Sequence, residues 1–180
     1  RPKRLYVSCD GAMYPTRYRK EENGQKRLVY QEMKCATVFW QEGTSQWHKR
    51  VQSSRAEVDE FGLSVWELAV GCGLLQADEV IFISDGGAWC DTIAKRYFHD
   101  ATRILDWYHL VEHIWTAARV LYADEAEAKR WVSRCKDMLM ESSGIGLLRF
   151  LQRSRTARAA DASAAELKAI DDLVGYLEPR

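Results

Sequence analysis

Two short apolar runs of β-forming residues each end in an aspartate that is followed at once by glycine. Leu5-Tyr6-Val7-Ser8-Cys9 runs into Asp10-Gly11, and Val80-Ile81-Phe82-Ile83-Ser84 runs into Asp85-Gly86-Gly87. In α/β sheets the reacting groups gather at the carboxyl ends of strands, and a glycine beside the acid lets the backbone turn away while the carboxylate projects. Asp-Gly pairs also begin ordinary turns. A repeat of the pattern at two strand ends, with Asp106 at the end of a third run, is what separates it from turn chemistry. Two carboxylates brought together in this way are oxygen-only donors suited to a hard divalent cation such as magnesium. The chemistry expected of them is metal-dependent phosphoryl transfer.

The rest of the chain sets limits on that expectation. A length of 180 residues, 47% of them hydrophobic and seven of them tryptophan, suits one domain with a substantial core. The five cysteines (Cys9, Cys35, Cys72, Cys90, Cys135) are odd in number and form no C-x-x-C pair, which fits a reducing cytoplasm better than a disulfide frame or a zinc knuckle. No apolar stretch approaches a membrane span, so no membrane partner is expected. The start at Arg1-Pro2-Lys3-Arg4, without methionine, is what an excised piece would show. The zero net charge hides an asymmetry: residues 1–55 carry twelve Lys and Arg against five Asp and Glu, and residues 56–90 carry none against seven. That distribution is compatible with a basic strip beside an acidic pocket, or with solvated faces that balance each other. Arg149, Arg153, Arg155 and Arg158 form a second basic cluster that could follow a phosphate backbone or line an exposed helix.

The order of elements is legible from periodicity and turn residues. Strands are expected at 5–9, 34–40 and 48–54, and the polar segment 14–25, with Asn23-Gly24 as its turn, is expected as a loop or a small extra hairpin. Val65, Leu68, Ala69, Cys72 and Leu75 recur at helical spacing within 63–75, with Ser64 as the expected N-cap. A strand ending at Asp85, a helix over 88–98 and a short strand over 101–105 follow. Helices are expected at 110–122, 125–140, 145–152 and 164–177, with Gly144 and Asp161 in the separating loops. Three antiparallel strands, then helix, strand, helix, strand and more helices is the succession of the ribonuclease H-like fold. The expected architecture is thus α/β, a mixed five-stranded sheet followed by an all-helical insertion, divided as a core over 1–122 and a helical region over 123–180. In that fold the first and fourth strands are parallel neighbours, which would bring Asp10 and Asp85 together.

A further local signal makes a resemblance specific. Ile104-Leu105-Asp106-Trp107-Tyr108-His109 places an Asp-x-x-His pair at the start of a helix, about twenty residues after Asp85. With Val7-Ser8-Cys9-Asp10-Gly11, Glu32-Met33-Lys34 and Ile83-Ser84-Asp85-Gly86, it resembles bacterial insertion-sequence transposases of the DDE type, notably the group related to Mutator elements. The resemblance covers roughly residues 4–125. It implies a core that cuts and joins DNA with two Mg2+ or Mn2+ ions held by Asp10 and Asp85. It further implies that Asp106 and His109 shape the site, that the partners are transposon ends and target DNA, that the active complex is a homo-oligomer, and that the protein works in a bacterial cytoplasm. The family's third carboxylate, a glutamate in a small-residue context after the insertion, has no counterpart before Arg180; Glu141, Glu166 and Glu178 have no motif to recommend them. The expectation is a fragment that stops short of that acid, with a catalytically silent nucleic-acid-binding module as the alternative.

Several side chains allow more than one role. Asp106 is placed as well for capping a helix as for catalysis. Trp107 could stack on an unpaired base, and His113, one turn beyond His109, could touch DNA. His109-Leu110-Val111-Glu112-His113 also matches the H-x-x-E-H zinc-protease signature. That alternative leaves both Asp-Gly pairs without a role.

Overall fold

The computed structural model describes residues 3–178, which form two compact units that divide between Asp106 and Trp107. The first holds strands β1 (Arg4–Glu22), β2 (Gln25–Glu42), β3 (Gln46–Ser54), β4 (Glu79–Ser84) and β5 (Thr102–Leu105), with helices α1 (Val58–Gly71) and α2 (Ala88–Tyr97). The strand order is β3-β2-β1-β4-β5. The first three strands are antiparallel, while β4 runs parallel to β1 and β5 parallel to β4. This is the mixed five-stranded sheet of the ribonuclease H-like fold.

Strict alternation along β1 explains its central place. Leu5, Val7 and Cys9 are buried and pack with Ala36 and Val38 of β2 against Phe61, Val65, Ala69, Cys90, Ile93 and Ala94 of the two helices. Tyr6, Ser8 and Asp10 point to the other face, where Tyr6 stacks on Phe39 at 4.9 Å between ring centres. Residues buried on one face fix the register, because a one-residue slip would turn Leu5, Val7 and Cys9 out of the core.

Of the two forms expected for segment 14–25, the hairpin is the one formed: β1 runs through it to Glu22 and pairs with β2 around Asn23-Gly24, both in left-handed backbone (φ 51° and 74°). Its strands pair with each other and need no apolar face. One local expectation needs correction. Ser64 does not cap α1, which begins at Val58 after Glu57 with Asp59 and Glu60 favouring its positive end; the Ser64 hydroxyl instead donates to the Phe61 carbonyl at 2.8 Å. The break expected near Gly144 falls at Ser143, whose backbone is non-helical (φ 61°, ψ −176°) and divides the span Glu125–Arg158 into two helical pieces.

The second unit consists of α3 (Trp107–Leu121), α4 (Glu125–Arg158) and α5 (Ala164–Leu177). Ile114, Ala118, Val132, Cys135, Leu147, Leu151, Ile170 and Leu173 form its core. Asp124 caps α4 by accepting from the Glu127 amide at 2.8 Å, and Ser163 with Glu166 forms a reciprocal capping box on α5. The compact boundary falls at 106/107, so α3 counts with the helical unit. Among the described residues, no helix is long and apolar enough to cross a membrane.

Candidate functional site

The parallel register between β1 and β4 ends at Cys9↔Ser84. Asp10 and Asp85 are the next residue on each strand, and carboxylate oxygens of the two lie within 4.8 Å of each other. Beyond them the chains part. β1 continues into its pairing with β2, whereas the chain after Ser84 turns through Asp85, Gly86 and Gly87 into α2. Gly86 sits at φ 80°, a conformation that other residues adopt only under strain. The turn also orients the acid: the Gly87 amide donates to Asp85 Oδ1 at 2.7 Å, and the Gly11 amide donates to Asp10 Oδ1 at 2.7 Å. Asp10 is exposed and Asp85 half-buried.

Two thiols lie beneath the pair. The Cys90 thiol donates to the Cys9 carbonyl at 3.7 Å, and both residues are buried. Burial, and after it the charges of Asp10 and Asp85, pushes the Cys9 thiol up to about 12. Cys90 is pushed up further, by burial first and then by Asp85. Both stay protonated, so the floor of the site is neutral and its mouth carries the carboxylates.

The third strand end joins the same edge of the sheet. The Asp106 amide donates to the Ser84 carbonyl at 2.8 Å, tying the end of β5 to the end of β4. Behind β4, Asp91 of α2 accepts from Lys95 at 2.8 Å and from Arg103 of β5. This holds α2, whose first turn follows Asp85, against the edge strand. Glu32 of β2 was noted in sequence only within a motif. It folds over Gly11 and accepts from the Trp89 indole at 3.3 Å; a Cβ on Gly11 would lie 2.3 Å from Glu32 Oε1. Gly11 itself lies in extended β1, and a side chain there would have to displace the end of the Glu32 side chain.

The remaining candidates lie in the helical unit. His109 is half-buried in the first turn of α3, and Trp107 is 40% exposed, open enough to meet a ligand. The His113 ring stacks on Tyr176 at 3.9 Å. Among the described residues, no metal-ligating group contains both His109 and His113. Glu166 is engaged in the capping box. Arg155 is bidentate on Asp171 (2.6 and 3.0 Å), and Arg158 donates to the Tyr122 hydroxyl at 2.9 Å. Those two arginines brace α4 against neighbouring helices, whereas Arg149 and Arg153 line an open cavity of about 440 Å³.

No family model and no curated protein matches the chain. Among solved structures it is similar to the Drosophila P element transposase strand transfer complex, with a TM-score of 0.41 and 10% identity over 98% of this chain. The match covers 50% of that transposase chain, so this chain spans about half its length.

Proposed function

We propose that the sheet unit is the catalytic core of a DNA transposase of the DDE type, performing metal-dependent phosphodiester hydrolysis and strand transfer. The observation that carries this reading is the meeting of the Asp10 and Asp85 carboxylates, within 4.8 Å, at the ends of neighbouring parallel strands. Mg2+ holds its oxygen ligands at about 2.0–2.1 Å, so two oxygens on one ion lie roughly 3–4 Å apart. The observed spacing needs at most a small rotation of either side chain to meet that requirement, and the donors are of the hard type that Mg2+ or Mn2+ takes.

In this mechanism Asp10 and Asp85 hold the cations. Bound there, a pair of ions supplies activation of the attacking water or 3′-hydroxyl and neutralisation of the leaving oxygen. The protein's own part is positional. The amides of Gly11 and Gly87 fix one oxygen of each acid and so orient both carboxylates. The buried thiols below keep that face free of competing charge. Asp106, tied through its amide to the end of β4, and His109, three residues further on, carry the auxiliary role that the sequence resemblance implies. The substrates are transposon ends and target DNA, which two copies of the chain would hold together.

Titration of Mn2+ into the protein, followed by the electron paramagnetic resonance of the free ion, tests the cation site directly. The wild type takes up the ion stoichiometrically, and Asp10→Asn and Asp85→Asn each abolish the uptake. Nicking of supercoiled plasmid follows the same pattern. Uptake unaltered in both variants would refute the reading, whereas uptake without nicking would leave a nucleic-acid-binding module.

A further inference from the structure

Beyond Gly11 and Lys34 the two longest strands leave the sheet together. β4 pairs with β1 only over Arg4–Cys9, and β3 pairs with β2 only over Lys34–Glu42. From there to the Asn23-Gly24 turn, among the described residues, β1 and β2 pair with each other alone, from Ala12↔Met33 to Glu22↔Gln25. The result is a two-stranded ribbon with both edges open, roughly 30 Å long at about 3.3 Å per residue. A ribbon of this kind is marginally stable by itself.

Its side chains are distributed in an unusual way. Between Tyr14 and Tyr30 there are five cations, Arg17, Arg19, Lys20, Lys26 and Arg27, against Glu21 and Glu22. Directly opposed residues share a face, and successive residues alternate between faces. Lys20 therefore stands beside Arg27 on one face, while Arg19, opposite Leu28, and Lys26, opposite Glu21, occupy the other. Like charges placed directly opposite each other destabilise a hairpin. Lys20 reaches Glu22 at 3.9 Å, an exposed pair that offsets little of this. Among the cations, the rings of Tyr18 and Tyr30 are 76% and 55% exposed. Near its foot the ribbon changes register between Pro15 and Arg19, where the Thr16 hydroxyl donates to the Val29 carbonyl at 2.7 Å and accepts from the Tyr18 amide at 3.2 Å. Such an irregularity bends a strand pair and increases its twist.

We infer that this ribbon is a DNA-binding arm that enters the major groove of a duplex, with cations on its two faces set against the two phosphate walls. The groove is about 12 Å wide and admits a two-stranded ribbon. A single strand would satisfy one face and leave the other unpaired, so the two-sided charge favours duplex. Anionic walls relieve the Lys20–Arg27 repulsion, and Tyr18 and Tyr30 offer rings to sugars and base edges. The ribbon springs from Gly11, so the arm and Asp10 belong to one continuous strand. The inference rests on the proposed function for the identity of the substrate and is independent of it for the chemistry.

The test is fluorescence anisotropy of a labelled 30-base-pair duplex with the whole 180-residue chain, in EDTA, across a range of NaCl concentrations. The Lys20→Ser/Arg27→Ser variant should bind about tenfold or more weakly at 100 mM NaCl. The slope of log affinity against log salt should fall by about 1–2, given a contribution of about 0.9 per phosphate contact. Arg19→Ser/Lys26→Ser, on the other face, should do the same and serves if the first pair fails to fold, as judged by circular dichroism. No binding by the wild type, or unchanged affinity and slope in both variants, would overturn the inference. So would a loss of self-association in sedimentation with DNA affinity intact, which would make the open edges a contact between copies of the chain. Arm-dependent binding without Mn2+ uptake would sustain the arm and remove the catalytic reading; Mn2+-dependent nicking that ignores the arm would do the reverse.

Discussion

Replacing Asp10 by asparagine should make the metal-free protein more stable. Carboxylate oxygens of the two acids lie within 4.8 Å of each other, and unit charges at that limit repel by about 3.5 kcal/mol at an effective dielectric constant of about 20 and by about 0.9 kcal/mol in bulk water. Asp10 is exposed and Asp85 half-buried, so the relief belongs toward the lower end, about 1–2 kcal/mol. Asparagine keeps the shape and can keep the oxygen that accepts from the Gly11 amide, so little is lost in exchange. The gain corresponds to a rise in Tm of about 2–8 °C for a chain of this size. Thermal unfolding in EDTA at low salt measures it, and the gain should shrink at 0.5 M NaCl because salt screens an exposed repulsion. With Mn2+ present the order should invert: a cation at a hundred times its Kd stabilises the wild type by about 2.7 kcal/mol, and the variant forfeits this. The reasoning is refuted if Asp10→Asn is less stable than the wild type by more than about 1 kcal/mol at every salt concentration. That result would make the carboxylate a structural acceptor for the Gly11 amide.

Gly62→Ala would ordinarily help a helix by up to about 1 kcal/mol, yet here its Cβ would lie 2.6 Å from the Tyr97 ring, which is held by its hydroxyl donating to the Asp59 carbonyl at 2.9 Å. A net loss of about 1–2 kcal/mol in urea unfolding is expected, and a gain would mean that α1 and α2 are not so closely packed. Burial works to raise the Asp91 carboxyl, but hydrogen bonds from Lys95 and Arg103 outweigh it and hold the group below its usual range. The stabilisation is therefore present above the ordinary carboxylate range near pH 4 and is lost as the pH falls through the lower folded value. Asp91→Asn should cost about 1–3 kcal/mol at pH 7, discounted for the partial exposure of its partners, and the deficit should fade below about pH 4 in urea titrations. Thiol labelling with iodoacetamide at pH 8, followed by mass spectrometry, should find half-buried Cys35 reacting first, and Cys9, Cys90 and Cys135 protected by burial. Equal rates for Cys90 and Cys35 would contradict the buried floor of the site.

The fold was legible because the strands that build the core carry their own signal. Leu5, Val7 and Cys9 alternate with Tyr6, Ser8 and Asp10, and Glu79–Ser84 is apolar almost throughout, as a strand with neighbours on both sides requires. The ribbon was only half legible, as a loop or a small hairpin, for the opposite reason. Between Tyr14 and Tyr30 no face is buried, so hydrophobic alternation, the signal that reveals β1 nearer its start, has nothing to report; only Asn23-Gly24 announced the hairpin. The start of α1 was missed because Glu57 caps it without a side-chain hydrogen bond, whereas Ser64 had the chemistry of a cap and no need to act as one. At the acid pair, the residue types were readable from sequence and the proximity was not, since spacing alone says nothing about residues 10 and 85. The Glu32–Gly11 contact left no trace beyond the motif itself, because it depends on a register of β2 that only the folded hairpin sets.

Register also explains why the acids, the ribbon and the helix turn share one location. β1 is longer than the strand it parallels, so its neighbour ends at Ser84 while β1 continues. At that point the β4 side must turn, which Gly86 and Gly87 permit, and β1 continues on its existing pairing with the lengthened β2, its other edge now open. The two carboxylates stand where the paired strands separate, with a helix start on one side and a basic ribbon on the other. Shortening the ribbon by joining Ala12 to Met33 through a two-residue turn would leave the Cys9↔Ser84 pairing and the buried core untouched. Such a variant should keep the Mn2+ affinity of the acid pair and lose affinity for duplex DNA. If instead it lost the cation as well, the ribbon would be part of what holds Asp10 in place, and cation site and DNA arm would be one structure.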